Sequence, residues 1–203
     1  LHIGKCVNGY SMLEDQADIL KKILSIMDCE SVDVVLIAGD VFDKSTPSAE
    51  AMTLLDEFLT ELYHRQKEVF VIAGNHDSAE RLSFGSQIMA QSGIHISPRY
   101  QGDIRPWTLE DNGNKIDFWL IPYIRMVDVR HAWPDEVIEN DTDAMRVLVS
   151  HLPFEAGHRN IALVHQFITN SIRCESEEQV IGGLDNIDVN VLDIFDYVAL
   201  GHL

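Results

Sequence analysis

Basic side chains are scarce in this chain: 15 Lys and Arg face 33 Asp and Glu, a formal net charge of −18, and the basic residues nowhere form a run. That balance argues against a domain that grips nucleic acid with its own surface, because such binding draws on clustered Lys and Arg. A polyanion becomes acceptable only where bound divalent ions or a basic partner supply the missing positive charge. Cysteine is almost absent. Cys6, Cys29 and Cys174 are far apart and outside any C-x-x-C pattern, which argues against a disulfide framework or a thiolate zinc site and indicates a reducing, cytoplasmic setting. Long apolar runs are missing too: none approaches the roughly 18 residues that span a bilayer, and no charged-then-apolar leader opens the chain. The start at Leu1 without a Met is read as the loss of a few residues rather than the removal of a signal. No internal repeat, low-complexity tract or linker divides the 203 residues, and 46% hydrophobic content suffices for one domain over 1–203 with a full core.

What the chain does have is a set of short apolar runs that end in the same few polar residues. Val34-Val35-Leu36-Ile37-Ala38 runs into Gly39-Asp40, and Val69-Phe70-Val71-Ile72-Ala73 runs into Gly74-Asn75-His76-Asp77. Ile161-Ala162-Leu163-Val164 ends at His165, Tyr197-Val198-Ala199-Leu200 at Gly201-His202, and His2 stands at the start. Apolar runs rich in β-branched residues read as buried strands. Parallel strands bring their carboxyl ends to one edge, where open α/β sheets hold their chemistry. His, Asp and Asn gathered there read as a metal site assembled from separate pieces.

Between the strands the spacing predicts helices. Ser11-Met12-Leu13-Glu14 has the form of a capping box, followed by Leu13, Ala17, Leu20, Ile23, Leu24 and Met27 at helical spacing. Thr46-Pro47-Ser48 puts Pro at the first position of a second helix with Ala51, Leu54, Leu55, Phe58, Leu59 and Leu62 as its apolar stripe. A third helix is expected over about 79–91. The middle changes character: 104–109 and 116–121 around Asp111-Asn112-Gly113-Asn114 predict a β-hairpin, and Asn140 caps a helix over 141–152. A short helical pattern over 189–195 precedes the last strand. The fold class is therefore α/β, with antiparallel strands joining an alternating β-α-β-α-β-α start.

Gly39-Asp40-Val41-Phe42-Asp43, Gly74-Asn75-His76-Asp77, His165 and Gly201-His202 resemble, in that order, the motifs of the calcineurin-like metallophosphoesterases. Asn75 to Leu82, Val164-His165-Gln166-Phe167, Gly182-Gly183-Leu184-Asp185 and Phe195 to His202 are similar, more narrowly, to the SbcD-type nuclease subunits. The resemblance implies a layered α/β/β/α sandwich of mixed sheets flanked by helices. It implies that Asp40 bridges two divalent metal ions, that His2 ligates the first, and that Asn75, His165 and His202 ligate the second. It also implies an Asp before Leu1 and a His after Leu203, both outside this sequence, and a C-terminal capping domain beyond it. His76 would contact the scissile phosphate and help the leaving oxygen depart, with Asp77 oriented to hold its ring. Two cations about 3.5 to 4 Å apart suit a phosphodiester, a poor electrophile whose phosphoryl oxygens need neutralising. A His, Asn and Asp donor set favours Mn²⁺ over an all-oxygen or thiolate-binding ion. Implied partners are DNA, an SbcC-like SMC-type ATPase and a second copy of the chain, the homodimer sitting within a heterotetramer. The expected role is in DNA repair, recombination and replication.

Plainer readings stand beside these. Arg81 is either a phosphate contact or a helix-surface ion-pair residue. Asp43 is either a loop-capping carboxylate or a group that tunes His76 or the attacking water. His64, His95, His131, His151 and His158 lack the strand-end setting and read as structural. A phosphoesterase of the same fold acting on small phosphoesters or phosphoproteins is the alternative function, and a binding module that keeps the fold without metals is the third; intact Asp40, Asn75, His76, His165 and His202 argue against the latter.

Overall fold

The computed structural model describes residues 1–168 and 186–202, so Cys174 and the Gly182–Asp185 motif lie outside the described residues. The fold is mixed α/β, and the chain divides into two compact units, Leu1–Pro98 and Arg99–Leu203.

The first unit opens with a hairpin of β1 (Cys6–Val7) and β2 (Tyr10–Ser11). Its two-residue turn, Asn8-Gly9, has φ of 52° and 84°, the left-handed pair that short hairpins require. Helix α1 (Leu13–Cys29) follows, then β3 (Val34–Ala38), α2 (Ala49–His64) and β4 (Glu68–Ile72). Two short helices, α3 (Ala79–Leu82) and α4 (Ser86–Met89), lead to β5 (Ile94–Ile96). Strands β3, β4 and β5 form a parallel sheet in that order. Leu20, Leu24 and Met27 of α1 and Leu55, Phe58, Leu59 and Leu62 of α2 share one core with Ile37, Val69 and Val71 of the sheet, the stripes that helical spacing predicts. Removing the Leu62 side chain, fully buried in that core, would cost about 2–5 kcal/mol.

The helix starts differ from expectation by a residue or two. Ser11 ends β2 instead of capping α1, whose cap position falls on Met12 without a side-chain bond. Ser48 caps α2 by accepting from the Ala51 N–H at 3.2 Å, so Pro47 precedes the cap and is not the first helical residue. The helix expected over 79–91 is broken by Gly85, whose φ of 76° lies outside any right-handed helix.

The second unit holds β6 (Trp107–Asp111), β7 (Asn114–Ile121), α5 (Met126–Ala132), α6 (Asp141–Ser150), β8 (Arg159–His165) and β9 (Tyr197–Gly201). Asn112-Gly113, with φ of 51° and 79°, closes the β6–β7 hairpin, as the sequence predicts. Asn140 caps α6 through a 2.8 Å bond from the Asp143 N–H. The sheet order is β6-β7-β8-β9; β6 pairs antiparallel with β7, and β7, β8 and β9 run parallel. Ile121 lies opposite Val164 and His165 opposite Gly201, so three strands deliver their carboxyl ends to one edge. Parallel neighbours need crossover connections; α5 and α6 supply the one between β7 and β8, their Val129, Ala144, Met145 and Leu148 buried with Trp119, Ile121, Ala162 and Val164. Among the described residues no helix is long and apolar enough to cross a membrane.

Candidate metal centre

In the first unit, the β3–Gly39-Asp40 junction is built to put one carboxylate where a chain rarely goes. Gly39 has φ of 82° and Asp40 φ of 46°, consecutive left-handed residues that turn the strand end sharply. For a non-glycine residue this costs about 1–2 kcal/mol, and such strain collects at functional sites. His2 and His202 share it, with φ of 50° and 61°. Asp40 is 6% exposed, and its Oδ1 accepts the His76 backbone N–H at 3.1 Å. Gly74 makes the approach possible: a Cβ there would lie 2.1 Å from Asp40 Oδ1 and 2.3 Å from its backbone nitrogen.

His2 arrives on a segment bound alongside the loop after β3, its N–H donating to the Asp40 carbonyl at 2.7 Å and that of Ile3 to the Val41 carbonyl at 2.9 Å. Its Nε2 lies 3.6 Å from Asp40 Oδ2. Burial, partly opposed by the Asp40 charge, lowers the His2 pKa and so favours the neutral ring, the form that ligates a metal. One donor atom each of His2, Asp40 and His76 lies within 4.8 Å of the others. The His2 Nδ1 is buried without a hydrogen-bond partner, and the Asp43 carboxylate stands 3.9 Å away. An imidazole beside a carboxylate, both on strained backbone, is a donor set that fits a divalent ion. The sequence assigned His76 to substrate alone; the geometry also brings it within reach of a cation held by His2 and Asp40. Asn75 stands exposed between Gly74 and His76.

Two supporting roles differ from those expected. The Asp77 carboxylate does not meet the His76 ring. It accepts the backbone N–H groups of Val41 at 3.0 Å, Phe42 at 2.9 Å and Gly74 at 2.8 Å, tying the loops after β3 and β4 together. The His76 ring instead points Nδ1 at the Asp43 carbonyl, 2.9 Å away. A carbonyl only accepts, so Nδ1 carries the proton and Nε2 is the ring nitrogen left without one. Arg81 forms no ion pair among the described residues; its guanidinium donates to the Ser45 carbonyl at 2.8 Å and to the Thr46 hydroxyl, bracing the loop that Asp43 starts.

Sequence reasoning passed over Gln16. From α1 it accepts the Gly4 N–H at 2.9 Å and donates to the His2 carbonyl at 2.7 Å, fixing the turn that holds His2. The available signal was a polar residue bracketed by the apolar positions 13, 17 and 20.

In the second unit, His165 at the end of β8 is 1% exposed, and its ring centroid lies 5.2 Å from that of His202, one residue past β9. The two histidines thus converge on one sheet edge. Phe167 packs edge-on against His202 at 5.2 Å. Gln166, buried beside His165, donates to the Ile124 carbonyl at 2.7 Å, another contact the sequence did not announce. Three of the remaining histidines are engaged elsewhere. His95 stacks on Phe70 and reaches Glu68 at 2.8 Å, His158 bonds the buried Asp117 at 2.9 Å, and His151 stacks on Trp133.

The SbcD component of the SbcCD nuclease of Staphylococcus saprophyticus subsp. saprophyticus is 36% identical over 206 aligned residues, which take in 100% of this chain and 54% of that protein. The chain spans about half the length of this relative. The sequence model of the calcineurin-like phosphoesterases matches residues 1–203, so this chain belongs to the calcineurin-like phosphoesterase family.

Proposed function

We propose that this chain is the phosphodiesterase domain of an SbcD-like DNA nuclease subunit, hydrolysing DNA at a two-metal centre. The observation that carries the hydrolytic part is the grouping of His2, Asp40 and His76 donors within 4.8 Å, with His2 and Asp40 on strained backbone. His2 and Asp40 would hold the first ion, with Asp40 shared, and Asn75, His165 and His202 the second, the two units acting as one domain. When bound, the ions supply an activated water nucleophile and neutralise the phosphoryl oxygens. The nitrogen-rich donor set favours Mn²⁺. His76 acts as the acid: with Nδ1–H spent on the Asp43 carbonyl, its ring must be doubly protonated to pass a proton from Nε2 to the leaving oxygen.

The choice of DNA rests on the 36% identity to a nuclease component. The net charge of −18 favours the alternative, a small or protein-borne phosphoester, unless capture of DNA falls to another subunit. We therefore assign that task to an SbcC-like ATPase, with two copies of this chain in a heterotetramer acting in cytoplasmic DNA repair and recombination. The test is the full-length protein with Mn²⁺. It should degrade linear DNA, process duplex ends much faster with the ATPase added, and do much less with Mg²⁺. Rapid hydrolysis of an aryl phosphate monoester with DNA left intact, with and without the ATPase, would establish the alternative instead.

A further inference from the structure

At the sheet edge where β7, β8 and β9 end, a third ring stands beside His165 and His202. Tyr123 lies two residues past β7, and its ring centroid is 6.4 Å from that of His165 and 6.4 Å from that of His202, edge-on to the first and tilted to the second. Its position is fixed from below. Ile124 is buried, and its carbonyl takes the Gln166 side chain at 2.7 Å, so the strand that delivers His165 also anchors the loop that carries Tyr123. The residue nevertheless stays 38% exposed. The next aromatic along β7, Trp119, is fully buried.

An anchored, partly exposed aromatic residue beside two candidate ligand histidines has a use that suits this chain's charge. Side-chain neutralisation of phosphates is the main sequence-independent source of affinity for nucleic acid, and a chain at −18 has little of it. Stacking on an aromatic ring needs no positive charge and tolerates any base. A ring held in place loses little freedom when a base settles on it. We propose that Tyr123 is the platform on which a nucleobase flanking the scissile phosphate stacks, an inference that rests on the nuclease reading above and adds to it how the substrate strand is held.

The experiment uses full-length protein with Mn²⁺ and short single-stranded oligonucleotides, each either intact or carrying an abasic nucleotide on one side of the cleaved bond. Wild type, Tyr123→Phe and Tyr123→Leu are compared by KM and kcat, with Mn²⁺ affinity measured for each. In wild type the abasic site on the stacked side should raise KM roughly 5- to 100-fold. The Phe variant should keep that penalty. The Leu variant should show the raised KM on intact DNA and no further loss on abasic DNA. Equal abasic penalties in wild type and the Leu variant would overturn the proposal. So would a Leu defect that follows weakened Mn²⁺ binding, which would make Tyr123 a support for the histidines, or a loss in the Phe variant equal to that in Leu, which would make the hydroxyl the working group. Wild type that cleaves no DNA at all would remove the nuclease reading and this inference together, an outcome distinct from the others.

Discussion

Gly74→Ala should separate the site's geometry from ordinary packing. The added Cβ would sit 2.1 Å from Asp40 Oδ1, 2.3 Å from its backbone nitrogen and 2.8 Å from its Cγ, where ordinary contact begins at 3.4 Å. The end of β4 or the Asp40 loop must then retreat by roughly 1 Å, a misplacement that costs about 10²-fold in rate where a reacting group is involved. The neighbours cannot yield cheaply, because Asp77 binds Val41, Phe42 and Gly74 at once. Overpacking of this kind costs about 3 kcal/mol, a fall of roughly 6–12 °C in Tm for a chain of this size. Gly85→Ala is the contrast: it carries the backbone penalty of a φ of 76°, which Gly74 does not, but meets nothing within 4 Å, so it should cost about 1–2 kcal/mol and leave metal binding alone. Urea denaturation and calorimetric Mn²⁺ titration of both variants read the two effects. The account expects Mn²⁺ affinity to fall at least about tenfold in Gly74→Ala only. A Gly74→Ala protein with wild-type stability and wild-type affinity would refute the claim that Gly74 sets the position of Asp40.

Other substitutions divide the roles further. His76→Ala should retain most metal binding and lose about 10²-fold or more in turnover, whereas Asp40→Ala should lose both; equal loss of Mn²⁺ binding in calorimetry would show His76 to be a principal ligand. Asp77→Ala leaves three backbone donors without their acceptor and should cost about 3 kcal/mol, while Asp77→Asn should keep part of that and leave the shape of the pH–rate profile unchanged. A shifted profile in the Asn variant would mean that Asp77 does act on the His76 ring. Arg125 and Arg99 hold the Asp128 carboxyl below its usual pKa, the Arg125 bonds being the larger cause. A depressed carboxylate stabilises the fold above its unfolded pKa, near 3.9, and that contribution is lost as pH falls through the folded value. Asp128→Asn should therefore cost up to about 1 kcal/mol at pH 7 and nothing near pH 2; an equal deficit at both, by urea denaturation, would contradict the ion-pair origin.

Much of the architecture was legible because it rests on period and punctuation. The β-branched runs at Val34, Val69, Ile161 and Tyr197 became strands, the apolar stripe of α2 was read residue by residue, and Asn112-Gly113 gave its turn. Residues at strand ends were visible for the same reason, since the run ends where the polar group begins. Contacts that depend on long-range geometry were not. Nothing local indicates that Asp77 turns toward backbone N–H groups from the ends of β3 and β4 rather than toward its neighbour His76, or that Asp43 holds the ring through its carbonyl. Arg81 binding a loop 35 residues back is a contact of the same kind. Tyr123 was hidden because Pro122 follows the strand and carries no family signature; its place became evident only once β7 ran parallel to β8.

The two-metal proposal requires that His2, Asp40, Asn75, His165 and His202 hold one pair of ions. Crystals of the full-length protein soaked in Mn²⁺, with data collected at the manganese absorption edge, test it directly. The account predicts two anomalous peaks about 3.5 to 4 Å apart, Asp40 between them, His2 on the first and Asn75, His165 and His202 on the second. A single peak, or His165 and His202 ligating an ion that Asp40 does not touch, would contradict it.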